Sequence, residues 1–127
     1  MRILFDQGTP APLRHALTGH SVETAYERGW SNLSNGDLLA AAEGAGFDLF
    51  VTTDQNLRYQ QNLDGRRLAI LVLPTTRWPI IQRHVAEVAA AVAAMQPDGH
   101  RPRYRRRAAP TRKETAVLAW QSAQTAI

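Results

Sequence analysis

Two short runs constrain this chain more than any other feature. Arg2-Ile3-Leu4-Phe5-Asp6 and Asp48-Leu49-Phe50-Val51-Thr52-Thr53-Asp54 are each strand-like, apolar on successive residues, and closed by an Asp. Successive apolar residues put side chains on both faces of a strand, so each run must be covered on both sides, as the central strands of a parallel α/β sheet are. In such a sheet, ligands gather at the carboxyl edge of the strands. Two carboxylates delivered to that edge repel each other, and a divalent cation relieves the repulsion.

The remaining elements follow from periodicity and punctuation. Arg2 to Phe5 reads as the first strand, and Gly8-Thr9-Pro10 breaks it before Pro12 to Leu17, where Leu13 and Leu17 can seat a short helix. His20 to Ala25 alternates weakly, as a second strand would, and a loop rich in Gly, Ser and Asn follows. Asn35 is placed to cap a helix that begins near Asp37 and ends at Gly44 to Gly46. Leu49 to Thr53 and Leu68 to Leu73 are buried strands, with a turn or two of helix expected over Leu57 to Leu63. Ile81, Val85, Val88 and Val92 carry the helical period, which predicts one helix over Trp78 to Met95 with Pro79 in its first turn. Strands alternating with helices predict a doubly wound, three-layer, Rossmann-like α/β fold with a mostly parallel sheet of four or five strands.

The 127 residues suffice for one domain and an appendage. We place the domain at 1–96 and a basic linker with a C-terminal helical tail at 97–127, the helix over Glu114 to Ala123. A fifth strand would have to come from beyond Met95, where the sequence is too polar for a central one. The formal charge of +4 is unevenly distributed. Residues 1 to 99 hold eight Arg against ten acids, whereas residues 100 to 127 hold seven basic groups against one Glu. Arg101, Arg103, Arg105, Arg106 and Arg107 therefore read either as a nucleic-acid arm, attracting phosphate without regard to sequence, or as a solvated handle for an acidic partner. With no Cys, neither disulfides nor thiolate zinc sites are available, and the chain opens on a strand with no signal-like segment. No apolar stretch approaches the roughly 20 residues that span a bilayer, so the expectation is a cytoplasmic protein with no membrane partner.

Asp6 and Asp54 stand where strands empty into turns, and Asp37 adds a third acid at a helix start. Each one alone could equally cap the turn that follows it. Together they favour a hard cation such as Mg²⁺ or Mn²⁺, which takes oxygen ligands and keeps waters that a substrate phosphate can displace. Thr52 and Thr53 are candidates to orient carboxylates or water, and Arg58 with Tyr59 to contact phosphate or a base. The four His residues show no His-x-x-x-His pair that would suggest zinc.

Over residues 1 to 73 the chain resembles the PIN-like nucleases, especially the small stand-alone proteins related to VapC-like toxins. The resemblance rests on Leu4-Phe5-Asp6, on Asn35-Gly36-Asp37-Leu38-Leu39 and on Val51-Thr52-Thr53-Asp54. It implies a Mg²⁺- or Mn²⁺-dependent ribonuclease with Asp6, Asp37 and Asp54 as catalytic metal ligands, RNA as substrate, and an antitoxin protein as partner; homodimer formation stays open. PIN nucleases commonly supply a fourth acid just beyond the third, where this chain has Gln55 and Asn56. Either Asn56 is a neutral metal ligand, or the site is degenerate and the module binds RNA or protein without cleaving. Phe5-Asp6-Gln7-Gly8-Thr9 also resembles the nucleophile loop of haloacid-dehalogenase-type phosphatases, but Gly8 replaces the second Asp and the only Lys is Lys113.

Overall fold

The computed structural model describes residues 1–57, 67–96 and 115–120. Five strands form one all-parallel sheet: β1 (Arg2–Phe5), β2 (Ser21–Thr24), β3 (Leu49–Thr52), β4 (Ala69–Val72) and β5 (Thr115–Val117). Their spatial order is β2-β1-β3-β4-β5. The chain thus steps from β1 outward to β2, then reverses past β1 to β3, which makes the β1/β3 boundary the topological switch point.

The period-2 alternation of the central strands divides the core. Ile3, Phe5, Leu49, Val51, Leu71 and Leu73 face one layer, built from the short 3-10 helix η1 (Ala11–Ala16), α2 (Trp78–Arg83) and α3 (Val85–Ala94). Leu4, Phe50, Ile70 and Val72 face the other, where α1 (Asn35–Gly44) buries Leu38, Leu39 and Ala42. This is the expected three-layer α/β arrangement. Phe5 and Phe50 are fully enclosed, and burying a side chain of that size contributes roughly 1.5–3 kcal/mol.

Four local features differ from the sequence reading. Ser34, not Asn35, caps α1: its hydroxyl accepts from the Asp37 N–H at 3.3 Å, and Asn35 is the first helical residue. The segment 11–16 is a 3-10 helix, in keeping with Pro10 and Pro12, which lack N–H donors. The single helix expected over Trp78 to Met95 is two, broken at His84 (φ −120°, ψ 20°). The His84 carbonyl opens α3 by accepting from Glu87 and Val88, while its ring pairs with Glu87 and stacks on Trp120 at 4.4 Å. The fourth difference is at the C-terminal end, where the expected helix over Glu114 to Ala123 is, at 115–117, the edge strand β5. Residues 115–120 thereby return to the domain placed at 1–96: Leu118 N–H bonds the Val72 carbonyl at 2.9 Å, and Trp120 is buried in the layer with α2 and α3. An edge strand with one covered face tolerates the polar, short sequence that a central strand would not.

The expected helical turn over Leu57 to Leu63 falls outside the described residues, apart from Leu57, which is buried. Among the described residues, no helix is long and apolar enough to cross a membrane.

Candidate functional site

The site grows out of register and alternation. Leu4 pairs with Phe50 and Phe5 with Val51 across β1 and β3. Extending that register by one residue sets Asp6 beside Thr52, and the Asp6 N–H still bonds the Val51 carbonyl at 3.1 Å. Asp6 has the parity of Leu4, and Thr52 and Asp54 that of Phe50, so all three side chains lie on the α1 side of the sheet, at its carboxyl edge.

One hydroxyl joins the half-buried Asp6 carboxylate to the backbone of Asp54. Thr52, 1 % exposed, donates from Oγ1 to Asp6 Oδ2 at 2.6 Å and accepts at the same oxygen from the Asp54 N–H at 3.0 Å. Asp6 Oδ1 accepts from the buried Thr9 twice, from its hydroxyl at 2.7 Å and its N–H at 3.0 Å. Asp54 Oδ2 accepts from Asn35 Nδ2 at 3.0 Å, and Asp54 Oδ1 from the Asn56 N–H at 3.0 Å. Every one of these donors is neutral, and among the described residues no Arg or His lies within ion-pair reach of Asp6 or Asp54. A carboxylate has about four acceptor positions, so Asp6 keeps one on Oδ2 and Asp54 keeps one on each oxygen.

Asp6 and Asp54 are thus brought together, and Asp37 is not. Residues two apart on a helix face different ways, so with Asn35 turned toward Asp54, Asp37 points elsewhere and is exposed. Among the described residues, no three His, Cys, Asp or Glu side chains are grouped so as to hold a metal ion. The donor set at the switch point therefore consists of two carboxylates flanked by neutral oxygens. That fits Mg²⁺ or Mn²⁺, which characteristically take one or two carboxylates and complete their shell with water and phosphate. Asn56 contributes its backbone N–H to Asp54, and its side chain is exposed.

Three residues to which the sequence reading gives no role at the site shape it. Thr9 fixes Asp6, and Asn35 fixes Asp54; the third is Gly8, where a Cβ would lie 2.6 Å from Thr53 Oγ1, so the turn after β1 closes directly over the end of β3. Glu27, one of the other acids near this edge, is exposed and engaged elsewhere. The Thr24 N–H and then Arg14 hold its carboxyl below the ordinary value. Arg58, Tyr59 and the arginines at 101, 103 and 105–107 lie outside the described residues. Gln55 bridges the ends of β3 and β4 by donating from Nε2 to the Thr53 and Leu73 carbonyls. Compared with protein families, with curated proteins and with solved structures, the chain has no match.

Proposed function

We propose that the carboxyl edge around Asp6 and Asp54 is the metal-dependent RNA-cleaving site of a PIN-like ribonuclease, acting in the cytoplasm as the toxin of a toxin–antitoxin pair or a related stress system. The observation that carries the reading is the pair of half-buried carboxylates at the carboxyl ends of the adjacent strands β1 and β3, at the switch point, held only by neutral donors among the described residues and with acceptor positions left over. Such an arrangement keeps two negative charges in place for a cation. Asp6 and Asp54 would hold Mg²⁺ or Mn²⁺, which when bound supplies charge neutralisation at a phosphodiester and a more acidic water. Thr9 and Thr52 hold Asp6 in one orientation, Asn35 holds Asp54, and Asp37 remains exposed at the start of α1, on the same edge of the sheet.

A second reading, a PIN-like module that binds RNA or protein without cleaving it, is favoured by one specific observation. The acids form a pair and not a group of three among the described residues, and Gln55 and Asn56 stand where further acids are common in the resembled family.

The deciding experiment combines Mn²⁺ titration calorimetry with cleavage of a single-stranded RNA, on the unmodified chain, Asp6→Asn and Asp54→Asn. The ribonuclease reading expects cleavage that requires Mg²⁺ or Mn²⁺ and falls at least about 100-fold in both variants, together with loss of Mn²⁺ binding. RNA binding without cleavage and without Mn²⁺ binding in the unmodified chain establishes the non-cleaving module instead.

A further inference from the structure

Two exposed side chains flank the Asp6/Asp54 pair on opposite sides. Tyr26, 77 % exposed, is the most exposed of the large apolar side chains among the described residues. It follows Ala25, whose N–H bonds the Phe5 carbonyl at 2.8 Å, so Tyr26 stands at the carboxyl edge one strand to the β2 side of Asp6. An aromatic ring this exposed adds nothing to the core, yet offers a π face to a ligand.

On the other side, the loop after β4 leans toward the site. A Cβ placed on Gly8 would be 3.8 Å from Thr76 Cγ2 and 3.9 Å from Asp6 Oδ1, so this loop, the turn after β1 and the Asp6 carboxylate share one small region. Arg77, next in the chain after Thr76, is exposed and has no ion pair among the described residues. Arg28, in the loop after β2, is unlike it: its guanidinium is bound to Glu23 and lies over the Trp30 and Phe47 rings.

We infer that a single strand of RNA crosses the carboxyl edge from Tyr26 to Arg77, a base stacking on the Tyr26 ring and a phosphate held by Arg77, with the backbone passing over Asp6 and Asp54 between them. This rests on the ribonuclease reading for the identity of the ligand. The order β2-β1-β3-β4 separates the two loops by three strand spacings, roughly 14 Å at the usual interval, a span suited to a short length of flexible strand. A duplex does not satisfy the arrangement, because its bases are already paired and stacked and leave no face for Tyr26. Arg77 also supplies the positive charge that a phosphate needs to approach two Asp carboxylates. Stacking gives affinity without regard to base identity, so selectivity at this step is for an unpaired strand.

The test is fluorescence anisotropy of a labelled single-stranded RNA hexamer and the matching duplex, with a chelator present to prevent cleavage, on the full chain and on Tyr26→Ala, Tyr26→Phe and Arg77→Gln. Tyr26→Ala is expected to weaken hexamer binding about tenfold with the salt slope unchanged, and Tyr26→Phe to restore it, since the ring and not the hydroxyl acts. Arg77→Gln should lower the slope of log K against log salt by about one contact, in addition to reducing affinity. Unchanged binding in Tyr26→Ala and Arg77→Gln, or duplex bound as tightly as hexamer, overturns the inference. If those variants are without effect while Mn²⁺-dependent cleavage persists, the path is wrong and the ribonuclease reading stands. If the hexamer effects appear but no cleavage or Mn²⁺ binding is found, the strand path stands and the ribonuclease reading fails.

Discussion

The acids in two regions of this sheet are held by different kinds of partner. Along the β2 flank, Glu23 is bridged by Arg2 at 3.7 Å and Arg28 at 3.2 Å, and those guanidinium groups lie over the Phe47 and Trp30 rings at 4.4 and 4.7 Å. At the carboxyl edge, Asp6 and Asp54 are positioned by hydroxyl, amide and backbone N–H donors, all neutral among the described residues. A charge paired on the spot is a structural element, as in the Glu23 cluster. A charge held in place by neutral groups stays available to a cation from outside, and this difference is what makes the edge the candidate site.

The largest expected effect comes from the hydroxyl that joins the Asp6 carboxylate to the Asp54 backbone N–H. Thr52→Val keeps the shape of the side chain but removes the donor to Asp6 Oδ2 and leaves the Asp54 N–H without its acceptor. Losing a charge-assisted bond and leaving a partly buried donor without its protein acceptor should cost roughly 2 kcal/mol in urea denaturation, with Thr52→Ser recovering most of it. A cost near zero would mean that the hydroxyl does not organise the pair, and the contrast between the two regions would lose its central element.

How far this arrangement was legible in the sequence follows from the same residues. The uninterrupted apolar runs ending in Asp6 and Asp54 announced two buried parallel strands, and the α/β order followed from spacing. The pairing register was not legible, because β1 and β3 are joined only after the chain has visited β2 and α1, and nothing local states which residues align. The sequence offers Thr52 and Thr53 alike as residues that orient a carboxylate, and only the register selects Thr52 and pairs it with Asp6, while the sequence gives no sign of the roles of Thr9 and Asn35. Asp37 was weighted for its charge, whereas helical phase turns Asn35 toward Asp54. A fifth strand beyond Met95 is allowed by the sequence but not located at 115–117, because Ala116, Leu118 and Ala119 carry helix propensity, while the strand conformation depends on pairing with β4, a long-range contact.

Glycines sharpen the comparison next. At Gly8 a Cβ would approach Thr53 Oγ1 to 2.6 Å, so Gly8→Ala must displace the Thr53 side chain or the turn itself, at an expected cost of about 1 kcal/mol and with weaker Mn²⁺ binding. Gly44, the last residue of α1, has nothing within 4 Å of its Cβ position, and Gly44→Ala should be neutral or stabilise by roughly 0.5 kcal/mol. Thermal melts of the two variants, run together, check the contrast. Equal responses would show that the turn after β1 is not closely packed over β3.

On the β2 flank a smaller response is expected. Arg28→Ala removes a partly exposed ion pair to Glu23, worth little because of solvent screening, along with its ring contacts. The total loss should stay below about 1 kcal/mol, and the part that survives high salt should be the stacking on Trp30 and Phe47. Denaturation at low and high salt separates the two contributions. Mn²⁺ affinity should not change, since nothing in this cluster touches Asp6 or Asp54; a shift in it would couple regions that the structure keeps apart.

The smallest effect is a pH response at the amino end of β2. Partial burial, and then the positive charge of the Met1 amino group beside Nδ1 at 3.1 Å, hold the His20 pKa below its ordinary value of 6.5. A base whose folded pKa is lowered is favoured in its neutral form, so between the folded and unfolded values the unfolded chain binds more protons and stability rises with pH. The His20 contribution is therefore fully present above pH 6.5, declines as pH falls below that value, and levels off once pH is under the lowered folded pKa. His20→Asn removes this titration, so the difference in stability between the two proteins should change with pH only over that window, whatever the other histidines do. A difference that grew in favour of the unmodified protein as pH dropped would mean that His20 gains from being charged, and that its neighbourhood belongs with the paired charges of the β2 flank.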